Sequence, residues 1–111
     1  MRTAVHPPGR DVEAVLVALG DPSRRQIFFA LMEGERSVSQ LAEPLAISLT
    51  GLGQHVKILE AARLVSTRKV GRARLCAIDT AGLASLEQFA RLQRELWQSR
   101  FSALRKIVES P

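Results

Sequence analysis

The chain has 111 residues, 46% of them hydrophobic and 24% charged, which fits one globular domain with a real core and leaves room for a partner subunit to add stability. Its longest apolar runs, IFFALM among them, have six residues, far short of the roughly 20 that cross a bilayer; the N-terminus lacks a signal-peptide layout, and one cysteine allows no intrachain disulfide, so a cytoplasmic setting without membrane contact is expected. The net charge of +5 is carried between Pro44 and Ile78, where Lys57, Arg63, Arg68, Lys69, Arg72 and Arg74 face Glu60 alone, a concentration that points to a polyanion-binding surface, with a solvated basic face as the alternative.

Residues 1–10, with HPPG among them, neither continue a helix nor pair well as a strand and are expected to form a flexible arm carrying His6. The domain then runs over 11–109. Asp11 to Leu19 places Val12, Val15, Leu16 and Leu19 on one face of a first helix, closed by Gly20. A second helix has Asp21 as its cap, Pro22 at its first position and Gly34 as terminator, with Ile27, Phe28 and Leu31 inward. Ser37 or Ser39 caps a short third helix with the stripe Val38, Leu41, Ala42 and Leu45, kept short by Pro44. Ser48 caps a fourth, in which Leu49, Leu52, Val56 and Leu59 form the core face and Thr50, Gln54, Lys57 and Ala61 the opposite one.

Beyond Leu64 the rhythm becomes that of strands. VSTRKV and RARLCAI flank Gly71, which reads as a β-hairpin with Arg68, Lys69, Arg72 and Arg74 at its tip. Asp79 or Thr80 caps a last helix reaching Val108, with a seam of Leu83, Leu86, Ala90, Trp97, Phe101, Leu104 and Val108. So long and apolar a helix is not fully covered by so small a domain.

Four helices, a basic hairpin and a further helix make a mainly α chain with a small β part, the order of a winged helix-turn-helix, α-α-α-α-β-β-α. The fourth helix is then the one that enters the major groove of double-stranded DNA. Gln54 can read an adenine edge with two hydrogen bonds, Thr50 can bond a base or touch a thymine methyl, and Lys57 can reach a phosphate or a guanine. Gly51 and Gly53 each cost this helix roughly 1 kcal/mol relative to alanine. They can repay it by letting the backbone approach the duplex and contact phosphate, or they are merely tolerated by packing.

The segments LGDPSRRQIFFAL, VSQLAEPLAISLTGLGQHVKILEAARLV and GRARLCAI resemble the ArsR-type winged-helix transcriptional repressors of bacteria. The resemblance covers about residues 11–108 and is most specific from Val38 to Val65. It implies a homodimer that binds an imperfect palindrome at its own promoter and represses until an effector releases it; the sequence names no effector. It also implies dimerisation through the first and last helices, here Val12, Val15, Leu16, Leu86, Ala90, Trp97, Phe101 and Leu104. Trp97, Arg100 and Leu104 resemble the pattern of a subgroup without obvious metal ligands. Relatives commonly carry a phosphate-contacting Ser where this chain has Gly53, so that contact is missing here or moved to Ser48 and Thr50. Metal sensors of the family place Cys-x-Cys where this chain has Leu41, Ala42 and Glu43, or use His on the last helix, which contains none.

Other polar residues have two readings each. His55, about 80° from the centre of the core face, can bond a neighbouring backbone group or reach a phosphate. Arg24 and Arg25 sit in a first helical turn, where positive charge opposes the helix dipole, and either contact phosphate or bridge to Asp21 or Glu33. Cys76 shares a strand face with Arg74 and Ile78, as an inert residue or a redox-responsive one. With two His and one Cys the chain falls short of a zinc site, so neither metal nor cofactor is expected. No nucleophile–base constellation or phosphate-cradling loop supports an enzyme. The expected function is a sequence-specific DNA-binding regulator, the alternative a winged-helix module that binds protein.

Overall fold

The computed structural model describes residues 10–109. The arm expected over 1–10, with His6, lies outside the described residues but for Arg10, which opens the first helix. The order is α1 (Arg10–Leu19), α2 (Pro22–Leu31), β1 (Arg36–Ser37), α3 (Val38–Leu45), α4 (Leu49–Ala61), β2 (Val65–Val70), β3 (Ala73–Ile78) and α5 (Ala81–Glu109).

Local chemistry accounts for most boundaries. Asp21 accepts hydrogen bonds from the backbone N–H of Ser23 and Arg24 with Pro22 at the first turn of α2. That helix stops at Leu31, three residues before Gly34, whose N–H closes the following turn onto Leu31 O at 3.1 Å. Ser37, not Ser39, caps α3 through a reciprocal capping box with Gln40. The helix ends with Ala46 in the left-handed region at φ 54°, where Ala46 N donates to Glu43 O and Ile47 N to Ala42 O. Helix α4 closes in the same way around Arg63 at φ 59°, with Arg63 N bonded to Glu60 O and Leu64 N to Leu59 O. Both are Schellman closures built without the usual glycine.

The sheet differs from the expected hairpin. It has three strands in the order β1-β3-β2, because Arg36 and Ser37 pair with Cys76 and Leu75. A two-residue strand carries no alternation that a sequence pattern could reveal. The order is therefore α-α-β-α-α-β-β-α. Val70 pairs with Ala73, leaving Gly71 and Arg72 as a two-residue turn, with Gly71 at φ +61°.

The core gathers Val15 and Ala18 of α1, Ile27, Phe28 and Leu31 of α2, Leu41 and Ala42 of α3, Leu52, Val56 and Leu59 of α4, Ala62 and Leu64 just beyond it, Val65 of β2 and Cys76 of β3. Gly82 is where α5 crosses the end of α4: its N–H donates to Arg63 O at 2.8 Å, and a Cβ there would collide with Ala62 O. Helix α5 packs along α1 and runs on for 29 residues, about 43 Å. From Trp97 to Glu109 every residue is exposed, so the second half of α5 stands clear of the protomer.

Candidate nucleic-acid interface

Helices α3 and α4, joined across Ala46, Ile47 and Ser48, form a helix-turn-helix held against the core by Leu41, Ala42, Leu52, Val56 and Leu59. With those side chains turned inward, Thr50, Gln54 and Lys57 of α4 are exposed together. They line one groove of about 310 Å³ with Val38, Leu49, Gly53, Val56, Glu60 and Arg74. The recognition helix and the hairpin thus present one continuous surface.

Leu49 is the difference from the expected helix face. Periodicity aligned it with Leu52 and Val56, but it is 58% exposed and lines the groove. It is the first residue after the cap, and the core ends beneath it. Its place at the helix end was the available signal, since a stripe buries only where another element lies below it.

The two glycines have different situations. Gly51 donates its N–H to Ser48 Oγ at 3.0 Å, so that N–H is not available to a phosphate, while the Ser48 hydroxyl keeps its own proton to donate. A Cβ on Gly51 would sit 3.1 Å from Ser48 Oγ, whereas a Cβ on Gly53 would meet nothing within 4 Å. Packing within the protomer therefore does not require glycine at 53, on the wall of the groove.

Register divides the hairpin's cations between two faces. Thr67, Lys69, Arg74 and Cys76 share one face, Arg68 and Leu75 the other. On the first face the Thr67 hydroxyl donates to Glu60 of α4 at 2.8 Å, which ties the hairpin to the recognition helix. Lys69 is paired directly with Arg74, a like-charge opposition that weakens a hairpin and that an anion lying across it relieves. On the second face Arg68 is held by Glu35 through two hydrogen bonds of 3.1 and 2.9 Å. Arg72, in the turn, is exposed.

Arg24 and Arg25 are committed elsewhere. Arg24 donates to Ala18 O at 2.8 Å and Val17 O at 2.9 Å, and Arg25 to Leu19 O at 2.6 Å. They satisfy the last carbonyls of α1, a helix with no basic residue in its own last turn. Arg24 keeps only 12% of its side chain exposed and also lies 3.6 Å from Asp21 and 3.4 Å from His55 Nδ1. His55 is half-buried at the edge of α4. Cys76 is fully buried, and burial pushes its thiol upward although Arg74 pulls the other way; a protonated, covered thiol is a poor nucleophile. Among the described residues no three His, Cys, Asp or Glu side chains gather as metal ligands, and no helix is long and apolar enough to cross a membrane.

The residues expected at a dimer seam fall into two groups. Val12 and Val15 are buried in the protomer's own core, and Leu86 is packed partly against it. Leu16, Ala90, Trp97, Phe101 and Leu104 are exposed, together with Val17, Ile107 and Val108.

A helix-turn-helix whose outer helix is continuous with a basic, two-residue-turn hairpin defines a winged helix-turn-helix regulator. The model of the arsR family of bacterial regulatory proteins matches residues 21–67. HTH-type transcriptional regulator Rv2034 of Mycobacterium tuberculosis is 36% identical over 93 residues, 84% of either chain. The structure of an ArsR-like transcriptional regulator from Rhodococcus sp. RHA1 superposes with a TM-score of 0.83 at 30% identity, over 91% of this chain and 93% of that one. The solution structure of the homodimeric winged helix-turn-helix DNA-binding domain of Mb0332 from Mycobacterium bovis gives 0.61 at 29% identity, over 80% and 81%. The chain belongs to the arsR family and is a DNA-binding transcriptional regulator.

Proposed function

We propose that this regulator is a cytoplasmic, homodimeric repressor that reads a palindromic operator with one α4 in the major groove of each half-site. The observation that carries the reading is the shared exposure of Thr50, Gln54 and Lys57 on a groove that continues onto Arg74. Gln54 and Thr50 supply base contacts, and Ser48, Lys57, Arg72 and Arg74 supply phosphate contacts that position the helix without reading sequence. Arg24, Arg25 and Arg68 act mainly within the protein, through the carbonyls of α1 and through Glu35. The two recognition helices lie about 34–36 Å apart, one turn of the duplex.

The dimer rests on the apolar surface that α1 and α5 leave open. Trp97 and Phe101 are 71% and 66% exposed, and the consecutive Leu16 and Val17 are uncovered on α1, against which α5 packs. An unsupported helical end with this much apolar surface is stabilised by a second copy. The homodimeric state of the relative from M. bovis supports self-association.

Fluorescence anisotropy with labelled DNA from upstream of the protein's own gene, against a scrambled duplex at two salt concentrations, tests the proposal. Tight binding to the upstream duplex alone, weakened by salt, is expected. Equal binding to both duplexes, or affinity indifferent to salt, overturns it, because phosphate contacts release counterions.

A further inference from the structure

Leu49 is a large apolar side chain left 58% exposed on the recognition groove. It lines that groove beside Val38, Gly53 and Val56, with Thr50, Gln54, Lys57, Glu60 and Arg74 making the polar remainder. Because Gly53 has no side chain and open space where one would be, the surface around Leu49 is an uncovered apolar notch one turn along the helix. The cations around the groove fit a polyanion as occupant. Within the major groove the only apolar group that a base edge offers is the 5-methyl of thymine.

The rest of α4 points to the same base pairs. Its 13 residues, LTGLGQHVKILEA, contain no arginine, the side chain that most often specifies guanine, and Lys57, which could also reach guanine, is the residue assigned above to phosphate. Glu60, which could accept from cytosine, already accepts from Thr67 at 2.8 Å. Gln54 remains, whose amide matches the adenine edge. On the reading of this chain as an operator-binding protein, we infer that Leu49 is a specificity-determining residue that packs on a thymine 5-methyl, and that each half-site is centred on A·T pairs read jointly by Leu49 and Gln54.

The test starts by selecting duplexes from a random-sequence library with the full-length protein. Each thymine of the selected half-site is then replaced by deoxyuridine, which removes the methyl alone. The expected result is one position per half-site at which uracil lowers affinity about fourfold, the worth of one buried methyl-sized group. Leu49→Ala should bind thymine and uracil duplexes equally while retaining its preference for adenine at the Gln54 position. Thr50→Ser, which removes the other candidate methyl contact, should keep the uracil penalty. Circular dichroism and thermal melts confirm that both variants fold, as expected for exposed positions. Equal binding of thymine and uracil duplexes by the unaltered protein, or a penalty that survives in Leu49→Ala, overturns the inference and leaves the operator reading intact. A library from which nothing is enriched overturns the operator reading, and this inference with it.

Discussion

Arg24 Nη1 lies 3.4 Å from His55 Nδ1 while the same guanidinium donates to Val17 O and Ala18 O. One side chain of α2 thus joins the end of α1 to the flank of the recognition helix. Removing it leaves the part-buried Ala18 O without this charged donor and Val17 O, at the surface, with only the Gly20 N–H at 3.3 Å. Arg24→Ala is expected to lower stability by about 2 kcal/mol, and Arg24→Lys to recover little, since an ammonium cannot span two carbonyls as a planar fork does. Urea unfolding measures both, and a near-neutral alanine variant would refute the structural role.

Asp21 gives the protein a defined acid response. The backbone N–H of Ser23 holds its carboxyl below the ordinary value of 3.8, opposed by slight burial and aided by the N–H and charge of Arg24. A carboxylate whose folded value is depressed stabilises above the ordinary value and loses that contribution as pH falls through the lower, folded one. Stability should therefore decline below about pH 4 more steeply in the natural protein than in Asp21→Asn, whose cap does not titrate. Urea midpoints between pH 6 and pH 2 decide it.

Three glycines separate folding from function. Gly53→Ala should raise stability by up to about 1 kcal/mol, since alanine favours a helix and its methyl meets nothing, yet weaken operator binding. Gly51→Ala should gain less, its methyl pressing on Ser48 Oγ. Gly82→Ala should be destabilising, because its methyl collides with Ala62 O where α5 crosses α4. Thermal melts beside binding titrations reveal the contrast; a Gly53→Ala protein that binds DNA as before would remove glycine 53 from the interface.

The opposed cations of the wing make a second trade of stability against binding. Lys69→Glu turns the pair with Arg74 from repulsive to attractive and should stabilise the fold by about 0.5 kcal/mol, while weakening affinity for every duplex and flattening its salt dependence. Arg72→Ala should weaken binding without altering stability, since among the described residues no side chain is bonded to it. Arg68→Ala should do least, because Glu35 already occupies that side chain. Equal losses for Arg68→Ala and Arg72→Ala would show that the Glu35 pair opens on DNA.

The last prediction concerns assembly. Trp97→Ala with Phe101→Ala removes the two largest exposed apolar groups of α5. Sedimentation equilibrium should show monomers at micromolar concentration, and circular dichroism a loss of helix. Residues 97–109 are all exposed and packed on no other described element, and an isolated helix of about this length is marginal in water. An unchanged dimer would move the interface elsewhere.

What sequence alone determined here is what short-range chemistry governs. The Asp21 and Ser48 caps, a serine cap at 37 or 39, the Gly71 turn and the apolar rhythms of five helices are interactions within a few residues, so the order of the helices and the hairpin, the winged-helix class and the basic third of the chain were legible without coordinates. What only the tertiary structure decided depends on partners distant in sequence. Strand β1 exists because β3 lies alongside it, Arg68 meets Glu35 across 33 residues, and Arg24 is drawn to the end of a preceding helix rather than to the surface. Val15 turns wholly inward and Leu49 outward, although both fit an apolar stripe, because a stripe says which side of a helix is greasy and only the surrounding fold says how far the cover over it extends.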